Sequence, residues 1–266
     1  MTATAQVQGI YRYPVKGLSA EHLQSVVLAR GQTLPADRAY AIENGPSGFD
    51  PSAPAYFPKQ RFLMLMKNER LAALSTQFDQ TTQTLTARAG DGETVRGDLR
   101  TAAGRTAIEA FFSQFCATDL RGPPKVLHAP GHSFSDVARK VVSIINLASV
   151  TELARAVGAP VDPLRFRANL YVEGWTPWRE FDLLDQELTI GPTARLRVVK
   201  RIVRCAATNV DPCTGVRDLA IPETLLRRFG HGDCGVYAEV ITGGTITRGD
   251  RVIPDAKGSI EAVLPR

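Results

Sequence analysis

Short β-prone segments separated by turn residues run through most of the chain and limit the folds that it can adopt. They are rich in alternating or β-branched side chains and are bounded by Gly, Pro or Asp. Asp91-Gly92, between two of them, is a hairpin turn signal. In the first hundred residues the predicted strands are 6–13, 22–29, 38–42, 71–75, 82–87 and 93–95. This spacing predicts a β-barrel or sandwich, with the proline-rich residues 45–58 as a surface loop.

Helix signals are fewer. We predict a helix over 107–116, a second that ends at Gly158, and a third with Pro222 in its first turn and Gly230 after its last. The first two are expected to start at capping boxes, Thr106 with Glu109 and Ser149 with Glu152.

The second half adds further strands after a stretch of turn residues. These strands are predicted at 141–145, 166–172, 187–190, 196–203, 236–241 and 245–246, the last two meeting at Gly243-Gly244. Residues 118–136 are rich in Pro and Gly and are interpreted as a linker or long crossing loop. The sequence therefore predicts a mostly β protein with a few helices, divided into residues 1–120 and 121–266.

The composition is that of an ordinary globular protein. Of the 266 residues, 44% are hydrophobic and 22% are charged. No apolar run approaches the roughly 20 residues of a membrane helix. The first residues lack the basic and apolar regions of a secretory signal. We expect a cytoplasmic protein without a membrane span.

The charge pattern favours a small anionic ligand. The net charge is +5, but the cations occur singly or in pairs such as Lys200-Arg201, and aromatic residues make up only 7% of the chain. Nucleic-acid binders usually cluster their cations beside stacking aromatic residues, so we expect no nucleic-acid partner. A few scattered Arg and Lys side chains can still converge on one phosphate.

The cysteines and histidines do not form a metal-binding pattern of their own. Cysteines 116, 205, 213 and 234 include no Cys-x-x-Cys pair, which argues against a zinc knuckle or an iron–sulfur cluster. We expect free thiols and a buried Cys116, whereas the roles of Cys213 and Cys234 stay open. Histidines 22, 128, 132 and 231 are scattered, and Pro130 and Gly131 interrupt the 128/132 pair.

One glycine-rich segment has two interpretations. Residues 230–235 fit the pattern G-x-G-x-x-G, but they follow a predicted helix and precede a predicted strand, the reverse of the order in a dinucleotide-binding fold. A loop whose backbone N–H groups face an anion remains open, with Gly235 as its candidate residue.

Residues 201–215 carry the strongest functional signal. Cys205 stands where the apolar strand 196–203 changes into a polar turn, and a strand end is a rigid place to present a thiol. Arg201 and Arg204 are predicted to favour the thiolate, which is the form that ligates a metal. Asp211 is either a proton relay or a turn-forming residue before Pro212.

The pattern R-C-x-x-T-x-V-D-P-x-T-G in this stretch resembles the signature of the MOSC family, molybdenum-cofactor-binding proteins related to the C-terminal part of molybdenum cofactor sulfurase. The resemblance implies that Cys205 is the protein's ligand to molybdenum or a carrier of sulfur, with Arg204 and Thr208 beside the cofactor. Many relatives read C-S-R-C here, whereas this chain has Ile202-Val203 before Arg204.

Two further motifs resemble the same family. Tyr13-Pro14-Val15-Lys16-Gly17-Leu18-Ser19 and Asp37-Arg38-Ala39-Tyr40 are similar to the β-barrel domain that precedes MOSC in the amidoxime-reducing component group, which implies that Lys16 and Arg38 contact the cofactor. Residues 165–170 resemble the family's F-R-x-N strand. Alternation along that strand would put Phe166 on one face and Arg167 and Asn169 on the other, where they suit a phosphate and a pterin edge. Asn146 is a weaker candidate for the cofactor site.

The resemblance implies an N-terminal β-barrel, a C-terminal MOSC β-barrel and a site between them. It also implies reduction of N-hydroxylated compounds, such as amidoximes, hydroxylamines and N-hydroxylated bases, at a molybdenum cofactor. Electrons would come from a separate ferredoxin-, flavin- or cytochrome-type protein. Two alternatives stay open: a sulfur carrier with a persulfide on Cys205, and a non-enzymatic carrier of the cofactor.

Overall fold

The computed structural model describes residues 4–255, and most of their regular structure is β. Residues 1–3 and 256–266 of the predicted units lie outside the described part. The strands, in chain order, are β1 (Ala5–Arg12), β2 (Glu21–Leu23), β3 (Ser25–Leu28), β4 (Tyr40–Asn44), β5 (Ser75–Asp79), β6 (Thr84–Arg88), β7 (Thr94–Asp98), β8 (Pro124–His128), β9 (Val142–Asn146), β10 (Leu170–Glu173), β11 (Glu187–Ile190), β12 (Ala194–Val203), β13 (Asp233–Thr242), β14 (Gly244–Thr247) and β15 (Arg251–Pro254).

Three α-helices lie within the same described range, in agreement with the predicted fold class. They are α1 (Ala102–Phe115), α2 (Leu147–Val157) and α3 (Ile221–Phe229). Gly158 and Gly230 end α2 and α3 in the left-handed conformation, as the sequence predicts.

Seven strands close into a barrel. Their order is β10-β9-β13-β12-β11-β15-β1, and β1 also pairs with β10, so this sheet has no free edge between its first and last barrel strands. The pairs are antiparallel except β9 with β10, which α2 connects as a crossover. The inward side chains are small and branched, for example Val7, Val198 and Val236, all fully buried. The predicted C-terminal barrel is confirmed.

The barrel needs the first strand of the chain. Gln6 of β1 pairs with Glu173 of β10 on one side and with Arg251 of β15 on the other. In addition, β3 pairs with β14. Strand pairing therefore crosses residue 120: the segment up to residue 28 packs with strands from the end of the chain.

A second β-rich unit lies beside the barrel. It contains the antiparallel pair β4–β8 and the meander β5–β6–β7, with α1 packed against β7 and β8. Its core is apolar and includes Leu63, Leu85, Ile108 and Phe112. Strand β8 lies within residues 118–136, so the prediction that these residues form a linker or long crossing loop is wrong over Pro124–His128.

Four further details of the sequence-based prediction are wrong. Residues 71–75 are not a strand, because Glu69–Ala73 form a 3-10 helix and β5 starts at Ser75. Helix α1 starts at Ala102, with Thr101 as its cap, and Glu109 accepts a hydrogen bond from Val126 N of β8 instead of forming a capping box.

Helix α2 likewise starts earlier than the Ser149–Glu152 pair. Asn146 caps it by accepting from Ala148 N, and the Ser149 hydroxyl donates to Glu180 instead. Residues 166–172 are not one strand: Pro163–Phe166 form a 3-10 helix capped by Asp162, Arg167 is left-handed at φ 51°, and β10 starts only at Leu170.

The described part of the chain contains no helix with the length and apolarity needed to cross a membrane.

The crossing of α1 over β7 yields a stability prediction. A Cβ added at Gly104 would lie 2.1 Å from the Asp98 carbonyl oxygen, so the helix must move away from the strand. We expect Gly104→Ala to lower the free energy of unfolding by about 1–3 kcal/mol, the usual cost of overpacking. Urea unfolding measures this. Gly90→Ala is the control, because no atom lies within 4 Å of its added Cβ; equal effects at both positions would contradict the prediction.

Candidate functional site

A cleft of about 250 Å³ lies between the barrel and the second unit. Within the described residues its lining includes eight cationic side chains and only two carboxylates, so the cleft is strongly positive. The cations are Lys16, Arg38, Lys59, Arg165, Arg167, Lys200, Arg201 and Arg204, and the acids are Asp37 and Asp136. Such a lining favours an anionic ligand.

Backbone hydrogen bonds bring the two N-terminal motifs together on one wall. The Arg38 N–H donates to the Tyr13 carbonyl over 2.7 Å, and the Lys16 N–H donates to the Tyr40 carbonyl over 2.8 Å. The buried Asp37 carboxylate accepts from Tyr13 N at 2.8 Å and pairs with the Arg38 guanidinium. These bonds fix the backbone positions from which the side chains of Lys16 and Arg38 extend.

The Tyr13 ring lies against the guanidinium groups of Arg38 and Arg167. The distances from the guanidinium carbon to the ring centroid are 4.8 Å for Arg38 and 4.2 Å for Arg167. Arg38 Nη2 donates to the Arg167 carbonyl at 2.9 Å, and Arg167 Nη2 donates to the Leu18 carbonyl at 2.8 Å. Burial lowers the pKa of Arg167, but a guanidinium keeps its charge at any physiological pH.

Asp136 joins two cations at the mouth of the cleft. One of its oxygens accepts from the buried Lys16 ammonium, and the other lies 3.2 Å from Lys59 Nζ. Burial would raise the pKa of Asp136, but the charges of Lys16 and Lys59 outweigh it and hold the pKa well below its usual range. Burial also works against the charge of Lys59, yet Asp136 and the Cys205 sulfur raise the pKa of Lys59.

Cys205 follows the end of β12 and is partly exposed to the cleft. Lys59 Nζ lies 3.3 Å from its Sγ and donates to it. The turn after Cys205 is closed by Thr208, whose N–H and hydroxyl both donate to the Cys205 carbonyl, at 3.0 and 2.9 Å. The thiol is therefore held at a strand end, as expected, with a cation from the other wall beside it.

The two arginines predicted to favour the thiolate have other neighbours. The Arg201 guanidinium lies over the Phe181 ring, 4.3 Å from its centroid. Arg204 donates to the carbonyls of Cys234 and Phe166, which ties the Phe166–Arg167 turn to β13. The direct cationic partner of the sulfur is Lys59.

Arg165 lies under the cleft and is 5% exposed. Its guanidinium donates to both oxygens of Asp218, at 2.7 and 2.8 Å, and to Asp211 at 3.2 Å. Its buried Nε has no hydrogen-bond partner within the described residues. A buried donor without a partner is costly unless a ligand or water satisfies it.

Of the candidate residues, seven line the cleft and three do not. Those in the lining are Lys16, Arg38, Arg167, Asn169, Arg204, Cys205 and Thr208. Asn169 is buried, and its amide is used inside the protein: the oxygen accepts from Ser143 and the nitrogen donates to the Tyr11 carbonyl. The expected face shared by Arg167 and Asn169 does not come from strand alternation, because both residues precede β10.

Asn146, Gly235 and Asp211 lie outside this lining. Asn146 is fully buried and donates to Thr176 and Glu180. Gly235 is buried in β13 at φ 78°. Asp211 accepts from the backbone of Cys213 and Thr214, and these turn bonds lower its pKa, the one from Thr214 most.

Sequence reasoning missed Lys59, Asp136 and the orientation of Arg165. Arg165 precedes the Phe166-Arg167 motif and could have been weighed with it. Lys59 stands at the end of the proline-rich insert, where Pro58 caps the 3-10 helix Lys59–Arg61. Pro58 signals that helix in the sequence, but no neighbouring residue indicates that Lys59 contacts a thiol 146 positions away.

The arrangement suits an anionic cofactor. No group of three or more His, Cys, Asp or Glu side chains in residues 4–255 could hold a metal ion. Cys205 lines the cleft and is a sulfur donor of the kind that can ligate a metal carried by a cofactor. The guanidinium groups and the unpartnered Arg165 Nε fit the phosphate and polar edges of such a cofactor.

The four thiols should differ sharply in reactivity. Burial raises the pKa of Cys116 and Cys234 to about 12, so at pH 8 only about one molecule in 10⁴ carries either thiolate. With iodoacetamide at pH 8 we expect labelling of the exposed Cys213 and of Cys205, and none of the buried pair until the protein is unfolded. Peptide mass mapping measures this; labelling of Cys234 at the rate of Cys213 in folded protein would contradict it.

Two family models and several solved structures match the chain. The MOSC N-terminal beta barrel domain matches residues 4–121 and the MOSC domain matches residues 129–253. Curated proteins gave no significant match. YuaD from Bacillus subtilis is 13% identical, with 95% of this chain and 96% of that chain covered and a TM-score of 0.44. YiiM from Geobacillus stearothermophilus is 18% identical over 44% of this chain and 55% of that chain, with a TM-score of 0.35.

The two family models cover most of the chain, and their order matches that of the N-terminal motif and the Cys205 motif. They confirm the predicted N-terminal β-barrel domain and the MOSC domain after it. The chain belongs to the MOSC-domain family, whose members are associated with the molybdenum cofactor.

Proposed function

We propose that this protein is a molybdenum-cofactor-dependent oxidoreductase that reduces small N-hydroxylated compounds. One observation carries the proposal: the Cys205 sulfur opens on a cleft with eight cationic side chains and two carboxylates. An anionic cofactor would offset that charge, and the thiol offers a sulfur ligand for the metal that such a cofactor carries.

Different residues would hold different parts of the cofactor. Arg38 and Arg167, which lie against Tyr13, present planar guanidinium donors that suit the pterin phosphate. Arg165 Nε is a buried donor that still needs an acceptor. Cys205 would ligate the metal. When bound, the molybdenum cofactor supplies two-electron redox chemistry with transfer of an oxygen atom.

The chain's own residues can support reduction of an N–O bond. The oxygen that leaves must be protonated, so hydrogen-bond donors beside the thiol are required. Lys59, whose ammonium donates to the thiol, and Tyr237 both line the cleft. Burial raises the pKa of Tyr237, so its hydroxyl keeps its proton and remains a donor. Amidoximes, hydroxylamines and N-hydroxylated bases are the proposed substrates.

Electrons would reach the site from a separate protein of ferredoxin, flavin or cytochrome type. The four cysteines are free and scattered, and the described residues contain no cluster that could ligate an iron–sulfur centre. We place the protein in the cytoplasm, where unpaired thiols persist. A sulfur carrier with a Cys205 persulfide is the second candidate, favoured by the cation that contacts the sulfur.

Deleting the thiol tests the metal role. We expect protein made in a cofactor-competent host to contain roughly one molybdenum per chain, and Cys205→Ala to lose most of the metal and all benzamidoxime reduction. Cys213→Ala is the matched control, because Cys213 is an exposed thiol outside the cleft lining. Elemental and pterin analysis measures loading. Metal-free protein with sulfane sulfur on Cys205 would instead support the carrier, and bound cofactor without reduction by any donor would support storage.

Asp211 offers a second test. Its carboxylate accepts from the turn backbone and from Arg165, so we expect a structural role. Asp211→Asn should keep molybdenum loading and change kcat by less than about threefold. We expect it to lower the free energy of unfolding by about 1–2 kcal/mol, because the buried Arg165 loses a charged acceptor. Steady-state kinetics and urea unfolding measure the two quantities. A hundredfold loss of kcat at unchanged loading would instead identify Asp211 as a proton relay.

A further inference from the structure

Lys59 is the residue that connects the second unit directly to the Cys205 sulfur. It starts a 3-10 helix at the end of the proline-rich insert, where Pro58 is the cap. Its Nζ lies 3.3 Å from Cys205 Sγ, a contact between residues 146 positions apart in the chain. The side chain is 24% exposed and lines the cleft.

A chain of ion pairs holds this ammonium in place. Asp136 Oδ2 lies 3.2 Å from Lys59 Nζ, and Asp136 Oδ1 pairs with Lys16. Lys16 is in turn 5% exposed in its side chain and also donates to the Phe134 carbonyl at 2.8 Å. The buried Lys16 thus holds one oxygen of the carboxylate, and the second oxygen contacts Lys59. A charge held in this way stays near the sulfur.

No other cation of the described residues donates to the sulfur. Arg204 donates to two backbone carbonyls, and Arg201 lies over the Phe181 ring. Lys200 lines the cleft from the same strand that leads to Cys205, but the described residues show no hydrogen bond from it to the sulfur. The local charge at the sulfur therefore comes from Lys59.

We propose that Lys59, held by Asp136, is a positioning residue that fixes the Cys205 sulfur toward the cleft and supplies a constant positive charge beside it. The proposal rests on the proposed function only where it treats the sulfur as a metal ligand. Two consequences follow. Anionic reactants are drawn to the sulfur, and a metal bound there has a higher reduction potential, because a cation at a ligand sulfur stabilises the more reduced, more negative state.

The first test needs neither metal nor activity. In metal-free protein, the rates of Cys205 alkylation by iodoacetate and by iodoacetamide are measured at one pH by peptide mapping. Their ratio cancels the thiolate fraction and reports the charge near the sulfur. We expect Lys59→Met to lower the iodoacetate-to-iodoacetamide ratio about fivefold, which corresponds to about 1 kcal/mol between unit charges 4 Å apart in water. Lys59→Arg should restore most of the ratio.

Lys200→Met is the matched control. It removes one positive charge from the same cleft, but at a side chain that makes no hydrogen bond to the Cys205 sulfur within residues 4–255. We expect it to change the ratio little. An unchanged ratio in Lys59→Met, or an equal fall in Lys200→Met, overturns the proposal. Lys59→Gln is a second neutral variant for the case in which Lys59→Met does not fold, and the same fall is expected.

The second test uses protein loaded with cofactor. Potentiometric titration of the molybdenum signal by electron paramagnetic resonance should give a lower reduction potential for Lys59→Met than for the parent and Lys59→Arg, with equal metal content. A residue that only stabilised the fold would change metal content and not the potential. If no molybdenum binds, the proposed function fails, whereas the alkylation ratio still decides the role of Lys59. An equal potential in all variants overturns the metal half of the proposal.

Discussion

The pairing of β1 with β10 is the constraint on which the rest of the structure depends. It closes the barrel with the first strand of the chain, and it leads directly into the Tyr13–Lys16 motif. The same junction anchors the site, because Tyr11 N donates to the Asn169 carbonyl at 2.8 Å and Asn169 Nδ2 returns a bond to the Tyr11 carbonyl. The strand that closes the barrel therefore also leads into one wall of the cleft.

The cleft that results is electrostatically incomplete. Asp37 neutralises Arg38, and Asp136 is shared between Lys16 and Lys59, which leaves several guanidinium groups without a carboxylate in the cleft. Some of these guanidinium groups donate hydrogen bonds to backbone carbonyls, as Arg204 and Arg167 do. These bonds orient the cations but do not cancel their charge. An anionic ligand would lower the repulsion and satisfy Arg165 Nε, so ligand binding and stability of the two-unit arrangement should be coupled.

Local patterns predicted the elements well and their contacts poorly. Turn chemistry and alternation identified the β6–β7 hairpin, β12 with Cys205 at its end, and α3 with its terminal glycine. The strand predicted around Phe166 was wrong because Asp162-Pro163 starts a 3-10 helix, and alternation of side chains does not describe such a helix. The neighbourhood of Lys16 and Arg38 followed from family resemblance and not from spacing. The Lys59–Cys205 contact joins segments far apart in sequence, and such pairing depends on tertiary packing that no local window contains.

Both halves of the chain are needed for the site. Lys16, Arg38 and Lys59 precede residue 120, while Asp136 and Cys205 follow it, and the carboxylate that orders Lys59 belongs to the opposite half from the lysine. A fragment that starts after residue 120 would also lack β1 and expose the unpaired edges of β10 and β15. The thiol would remain, but its cation and one wall of its cleft would not. The chemistry of Cys205 is therefore a property of the joined chain, set by a lysine that the barrel itself does not contain.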